Sequence, residues 1–105
     1  MLLNWEQLVD VFERRVPAGS VTTYAEVSLW GYGVPNLNQP VRSLLRGAGN
    51  HGHQRLTNRV VGVDGKLADL PEGADQPQQR LLAEDLQFTA DGRVDFDRIS
   101  PVALV

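Results

Sequence analysis

The sequence predicts a mainly α domain with small β-hairpins, organised around a helix-turn-helix, and three observations carry that expectation. The chain has 105 residues, 42% of them hydrophobic, with ten Gly and six Pro. That is the size of one compact domain with one core, taken here as residues 1–105. Apolar residues recur at helical spacing in separate stretches divided by Gly- and Pro-containing turns. Two Asp-Gly pairs, Asp64-Gly65 and Asp91-Gly92, sit between short alternating apolar runs, the pattern of tight hairpins.

Trp5, Leu8, Val9, Phe12 and Val16 fall at i, i+3, i+4, i+7 and i+11, which makes an amphipathic helix with these residues inward. Asn4 is the predicted cap, and Pro17-Ala18-Gly19 ends the helix. In "VTTYAEVSLWG" Thr23 and Glu26 have capping-box spacing and Gly31 is the expected stop, giving a short helix with Tyr24 near its first turn. A third helix is expected from about Gln39 to Ala48, capped by Asn38, with Pro40 tolerated in its first turn. Its residues Val41, Leu44, Leu45 and Ala48 share one face. Gln39, Arg42, Ser43 and Arg46 share the other, the kind of stripe a recognition helix presents to a duplex. "RVVGVDGKLA" reads as a hairpin turning at Asp64-Gly65. A fourth helix is expected from about Gln76 to Asp85, capped by Asp75. "LQFTADGRVDF" reads as a second hairpin, with Phe88 and Val94 or Phe96 alternating around Asp91-Gly92.

Composition excludes several chemistries. With no cysteine, the chain has no disulfide, no thiolate metal site and no cysteine nucleophile. No stretch approaches the roughly 18 apolar residues that span a bilayer. The first residues lack a basic stretch followed by an apolar block, so a cytoplasmic protein is expected. Net charge is −3, but its distribution is uneven: from Val27 to Val63 there is no Asp or Glu, while Arg42, Arg46, Arg55 and Arg59 lie there. A locally basic segment on an acidic chain, with Arg as nine of the ten basic residues, suits bidentate contact to phosphate. His51 and His53 have a His-x-His spacing, but with Gly between them and no third ligand nearby they read as a solvated loop, and neither metal nor cofactor is expected. Trp30 reads as core packing. Asp64, Asp69, Glu72 and Asp75 read as turn caps.

Taken in order, "VPAGSVTTYAEVS", a helix ending in "RSLLRGAGN", "RVVGVDGKLA" and "QQRLLAEDLQF" resemble the DNA-binding domain of methylguanine-DNA methyltransferases, over about Trp5 to Phe96. Size and tail look closest to the alkyltransferase-like proteins, the non-enzymatic branch. The resemblance implies a winged-helix-like helix-turn-helix domain that enters the minor groove, a tyrosine that helps rotate a nucleotide out, and an arginine finger that takes its place. It also implies a Pro-Cys-His-Arg motif whose cysteine accepts the alkyl group. Tyr24 falls on the tyrosine and Arg59 on the motif's arginine. Leu56, Thr57 and Asn58 stand where Pro, Cys and His would be, and Gln39 stands at the finger position, with Arg42 one turn along.

With threonine in place of the acceptor, alkyl transfer is excluded, because a hydroxyl needs a neighbouring base to become nucleophilic and an Asn58 amide does not titrate. The expected function is therefore non-enzymatic binding of duplex DNA, with sensing of alkylated guanine for DNA repair. The expected contacts are Tyr24, Asn38, Gln39, Arg42, Ser43, Arg46 and Arg59. A lesion pocket is expected from Tyr24, Leu56, Thr57, Asn58, Val60, Lys66 and Leu67. A monomer is expected, with a repair protein as a further partner. The alternative is a domain of the same fold that binds a protein or acts in regulation without recognising lesions, which the −7 outside the basic segment favours.

Overall fold

The computed structural model describes residues 3–17, 19–65, 67, 88–90 and 92–105. Among these residues, four helices and a two-stranded sheet follow the order α1 (Trp5–Arg15), β1 (Thr22–Thr23), α2 (Tyr24–Tyr32), α3 (Asn38–Asn50), α4 (Gln54–Thr57) and β2 (Val60–Val61). The expected helix from Gln76 to Asp85, with its Asp75 cap, lies outside the described residues, as does Lys66.

Helix α1 begins as its sequence dictates. The Asn4 side chain accepts from Gln7 N at 3.0 Å and the Gln7 side chain accepts from Asn4 N at 3.0 Å, a reciprocal cap of the first turn. Leu8, Val11, Phe12 and Val16 are buried, while Trp5 and Val9 pack at the margin of the core. The inward stripe is thus centred one position away from the expected one and takes in Val11. At the far end the guanidinium of Arg59 donates to Val16 O at 2.7 Å, tying the exit of α1 to the residue before β2.

Helix α2 keeps only half of its expected box. Thr23 Oγ1 accepts from Glu26 N at 3.1 Å, but the Glu26 carboxylate turns away and accepts from Leu104 N at 3.2 Å. Gly31 does not stop the helix, which continues to Tyr32 and closes on Gly33 at φ 78°, a left-handed position that glycine occupies without strain. Asn38 does not cap α3 but is its first residue. Leu37 holds the capping position and makes no side-chain hydrogen bond there. The cap role passes to a residue nine positions upstream: buried Ser28 Oγ accepts from Leu37 N at 3.0 Å and donates to Val34 O, closing the α2–α3 turn from inside. Pro40 sits in the first turn of α3, where its missing N–H costs no hydrogen bond.

Val41, Leu44, Leu45 and Ala48 of α3 are buried, as their spacing predicts, and the helix packs against α1, α2 and α4. Strand β2 pairs in parallel with β1, Thr22 opposite Val60 and Thr23 opposite Val61, while the return segment of the expected Asp64-Gly65 hairpin lies largely outside the described residues. Parallel strands need a long crossover, and here α2, α3 and α4 supply it. Val60 then faces the main core with Phe12, Val27, Val41 and Leu104, while Val61 faces a second cluster with Val21 and Val94. The C-terminal residues run along the other side of β1. Val102 N donates to Val21 O at 2.7 Å, Thr22 Oγ1 donates to Val102 O at 2.7 Å, and Leu104 is buried in the main core.

The second hairpin forms as expected. Phe88 and Val94 make an antiparallel bridge, Thr89 N donates to Arg93 O at 2.7 Å, and Gly92 takes φ 85° in the turn. It is also the platform for the 62–65 turn. Val94 N donates to Gly65 O at 2.9 Å, and Gly65, at φ 84°, lies so close that a Cβ there would overlap Val94 O.

Candidate functional site

A cleft of about 710 Å³ opens between the start of α2, one face of α3 and the 62–65 turn. Tyr24 and Ala25 come from α2, Asn38, Arg42, Leu45 and Arg46 from α3, and Gly62, Val63 and Asp64 from the chain after β2. Each wall has a local cause. The Thr23 cap places Tyr24 at the first position of α2, where its ring packs on the main core and borders the cleft. Asn38, Arg42 and Arg46 recur every four residues, so burying Val41, Leu44 and Ala48 turns these three outward together. Leu45, nearly buried, supplies an apolar floor.

The structure brings together Tyr24, Asn38, Arg42, Arg46 and Leu67 of the residues expected to bind DNA or line a pocket. It separates the others from them. Gln39 and Ser43 are exposed on α3 but do not border the cleft, and Ser43 instead edges a smaller apolar groove with Trp5, Tyr32, Pro40 and Leu44. Leu56, Thr57 and Asn58 are half-buried in and after the short α4 turn, where Leu56 packs on the main core and Thr57 N donates to His53 O at 3.2 Å. Val60 is 1% exposed and belongs to the core, so it lines no open pocket. Arg59 is half-buried and directs a guanidinium nitrogen to Val16 O, which makes it a strut inside the molecule. None of Leu56, Thr57, Asn58 and Val60 is among the described residues lining the cleft, because the α4 turn and the parallel pairing of β2 draw them inward.

The lining residues that the sequence did not point to are Ala25, Pro35, Asn36, Leu45 and Gly62, whereas Val63 and Asp64 belong to the turn expected beside the pocket. Val63 is 71% exposed on the turn, an unusual place for a valine. Asp64 lies at the tip of that turn. Its carboxylate stands 3.9 Å from the Arg93 guanidinium in the hairpin behind, and it borders the same cleft as Arg42 and Arg46. The cleft is therefore lined by Arg42 and Arg46 on one wall and by Asp64 on another.

His51 is exposed and His53 half-buried in the turn after α3, and both rings lie against Trp5. Trp5 stacks on His51 with ring centroids 4.3 Å apart and lies 5.6 Å from His53, and His51 Nδ1 is 2.8 Å from Gly47 O. They form an aromatic lock between the start of α1 and the end of α3. Trp30 packs against the main core, as expected. Among the described residues no three His, Asp or Glu converge as metal ligands, and no helix is long and apolar enough to cross a membrane. No protein-family model matches the chain, and no curated protein or solved structure matches it significantly.

Proposed function

We propose that this chain is a non-enzymatic duplex-DNA-binding domain that engages DNA with the α2–α3 face. The observation that carries the reading is the cleft itself: Tyr24, Asn38, Arg42 and Arg46 converge on one open space, with both arginines exposed and no acid in the first turn of α3. Two guanidinium groups at i and i+4 suit successive phosphate oxygens, and the acid-free start of α3 adds the favourable end of its dipole. The finer architecture, a winged helix in which the Phe88–Val94 hairpin is the wing, belongs to this proposal. So does membership of the alkyltransferase-like branch, with sensing of alkylated guanine as its role in repair. Arg42 and Arg46, which border the cleft, are the phosphate contacts in this reading, and Gln39, which does not, is a flanking contact.

The test is a titration of a labelled duplex across salt concentration. With Arg42 and Arg46 as the phosphate contacts of the cleft, log affinity falls against log salt with a slope of about −1.8, and replacing either arginine by alanine removes about 0.9 of it. A salt-independent affinity, or no retention of any duplex at low salt, rejects the reading. Competition between duplexes with and without an alkylated guanine then decides whether damage is sensed, since equal affinities leave only general DNA binding.

A second reading is favoured by one observation. Val34, Leu37 and Val63 are exposed at 41%, 37% and 71%, an apolar content around the α2–α3 turn and cleft that suits a protein partner. Reversing charge at Arg42 and Arg46 separates the two: it abolishes DNA retention under the first reading and leaves partner binding intact under the second.

A further inference from the structure

Val63 is the residue of the cleft that phosphate binding does not explain. It is 71% exposed, and its side chain has no donor to offer a phosphate oxygen. The turn that displays it is firmly built. Val61 and Gly65 on either side are buried, and Gly65 N donates to Gly62 O at 2.9 Å, which makes Val63 and Asp64 the two tip residues of a tight turn. Val94 N donates to Gly65 O at 2.9 Å, and a Cβ on Gly65 would overlap Val94 O, so the turn is seated on the hairpin behind it. Turn tips favour Gly, Pro, Asn, Asp and Ser for their backbone freedom or local hydrogen bonds, and an exposed valine brings neither. A lone exposed apolar residue would need no explanation, but Val63 is not alone. It borders the same cleft as Tyr24, Leu45 and Leu67, so the space that carries Arg42 and Arg46 also has an apolar lining.

We infer that Val63 is a DNA-contacting residue: it packs against the carbon surface of deoxyribose and base edges while Arg42 and Arg46 hold the flanking phosphates. This role rests on the DNA-binding reading and specifies which chemical part of the ligand meets the turn. Two phosphate contacts are few beside the roughly six to ten that give strong electrostatic binding, so this cleft needs a share of affinity that salt does not screen. Apolar contact is such a share, because removing carbon surface from water does not depend on counterion release. A duplex supplies the matching surface in its grooves, where sugar carbons and base edges lie between the phosphate rows. Apolar side chains pack against that surface in proteins that bind the minor groove. Inorganic polyphosphate carries comparable charge and no carbon, so it engages the arginines and gains nothing from Val63. Val63 thereby distinguishes nucleic acid from other polyanions.

The experiment titrates a labelled duplex and inorganic polyphosphate, across salt concentration, with the wild-type chain and with Val63→Ala and Val63→Ile. Val63→Ala removes two methyl groups and weakens duplex affinity about tenfold at every salt concentration, with the log-log slope unchanged. Val63→Ile keeps the apolar contact and binds duplex within about twofold of wild type. Polyphosphate affinity is the same within about twofold for all three proteins. The urea transition stays in place in both variants, because Val63 is exposed. Duplex affinity unaltered by Val63→Ala overturns the inference and leaves Val63 to a protein-binding surface with the exposed Val34 and Leu37. A loss shared by polyphosphate, or a slope reduced by about 0.9, also overturns it, since Val63 then acts through the arginines and their phosphates. An equal loss in Val63→Ile does the same. No duplex bound by the wild-type chain rejects the DNA-binding reading itself, whereas equal binding by wild type and Val63→Ala rejects only the role of Val63.

Discussion

At the residue scale, a few side chains carry consequences out of proportion to their size. Gly65 combines a left-handed backbone with a near contact to Val94 O. Gly65→Ala therefore costs about 1–3 kcal/mol from backbone strain alone, more with the overlap, and lowers the urea midpoint accordingly. Because Gly65 anchors the turn that forms one wall of the cleft, the same substitution also weakens duplex binding in a titration. Thr57 and Asn58 matter for the opposite reason. Resemblance placed them in a lesion pocket, whereas the structure sets them in and after α4, outside the described lining of the cleft. Nothing in the sequence around them separates those two placements, since a half-buried threonine suits either.

At the scale of elements, the α2–α3 connection decides whether Tyr24 and the arginines of α3 face one space. The connection depends on Ser28, whose buried hydroxyl holds both Val34 O and Leu37 N. Ser28→Ala leaves two backbone groups without that partner. The expected loss is about 1–3 kcal/mol in chemical denaturation, with faster hydrogen exchange across residues 33–38. Helices α1 and α3 were legible from periodicity, and the buried face of α3 and the Asn4 cap of α1 follow directly from spacing and residue type, whereas the short α4 has no such signal. The caps of α2 and α3 were less so. Glu26 has the spacing for a local box, but a distant backbone N–H at Leu104 takes its carboxylate, and Asn38 lost the cap to a serine from the preceding helix. Local rules place a capping residue; long-range contacts decide which one is used.

At the scale of the molecule, the C-terminal residues close the fold. Val102 hydrogen-bonds beside β1, and Leu104 is 3% exposed in the main core while its N–H holds Glu26 near the start of α2. Leu104→Ala is therefore expected to destabilise the whole chain by about 2–5 kcal/mol, read from the thermal or urea transition. Binding behaves differently: charge removal at Arg42 and Arg46 flattens the salt dependence of duplex affinity without moving that transition, because both side chains lie on the surface.

By itself the sequence determined α1, α2 and α3, the buried face of α3, the second hairpin and the acid-free segment carrying Arg42 and Arg46. These depend on neighbours three, four or two residues apart, and such spacing is written in the chain. Only the tertiary structure decided that β2 pairs in parallel with β1, that Arg59 and Val60 turn inward, and that Asp64 borders the cleft. Each of those depends on contacts between segments tens of residues apart. A strand as short as Val60–Val61 has no pattern of its own to specify its partner, so burial of Val60 in one core and Val61 in the other selects it.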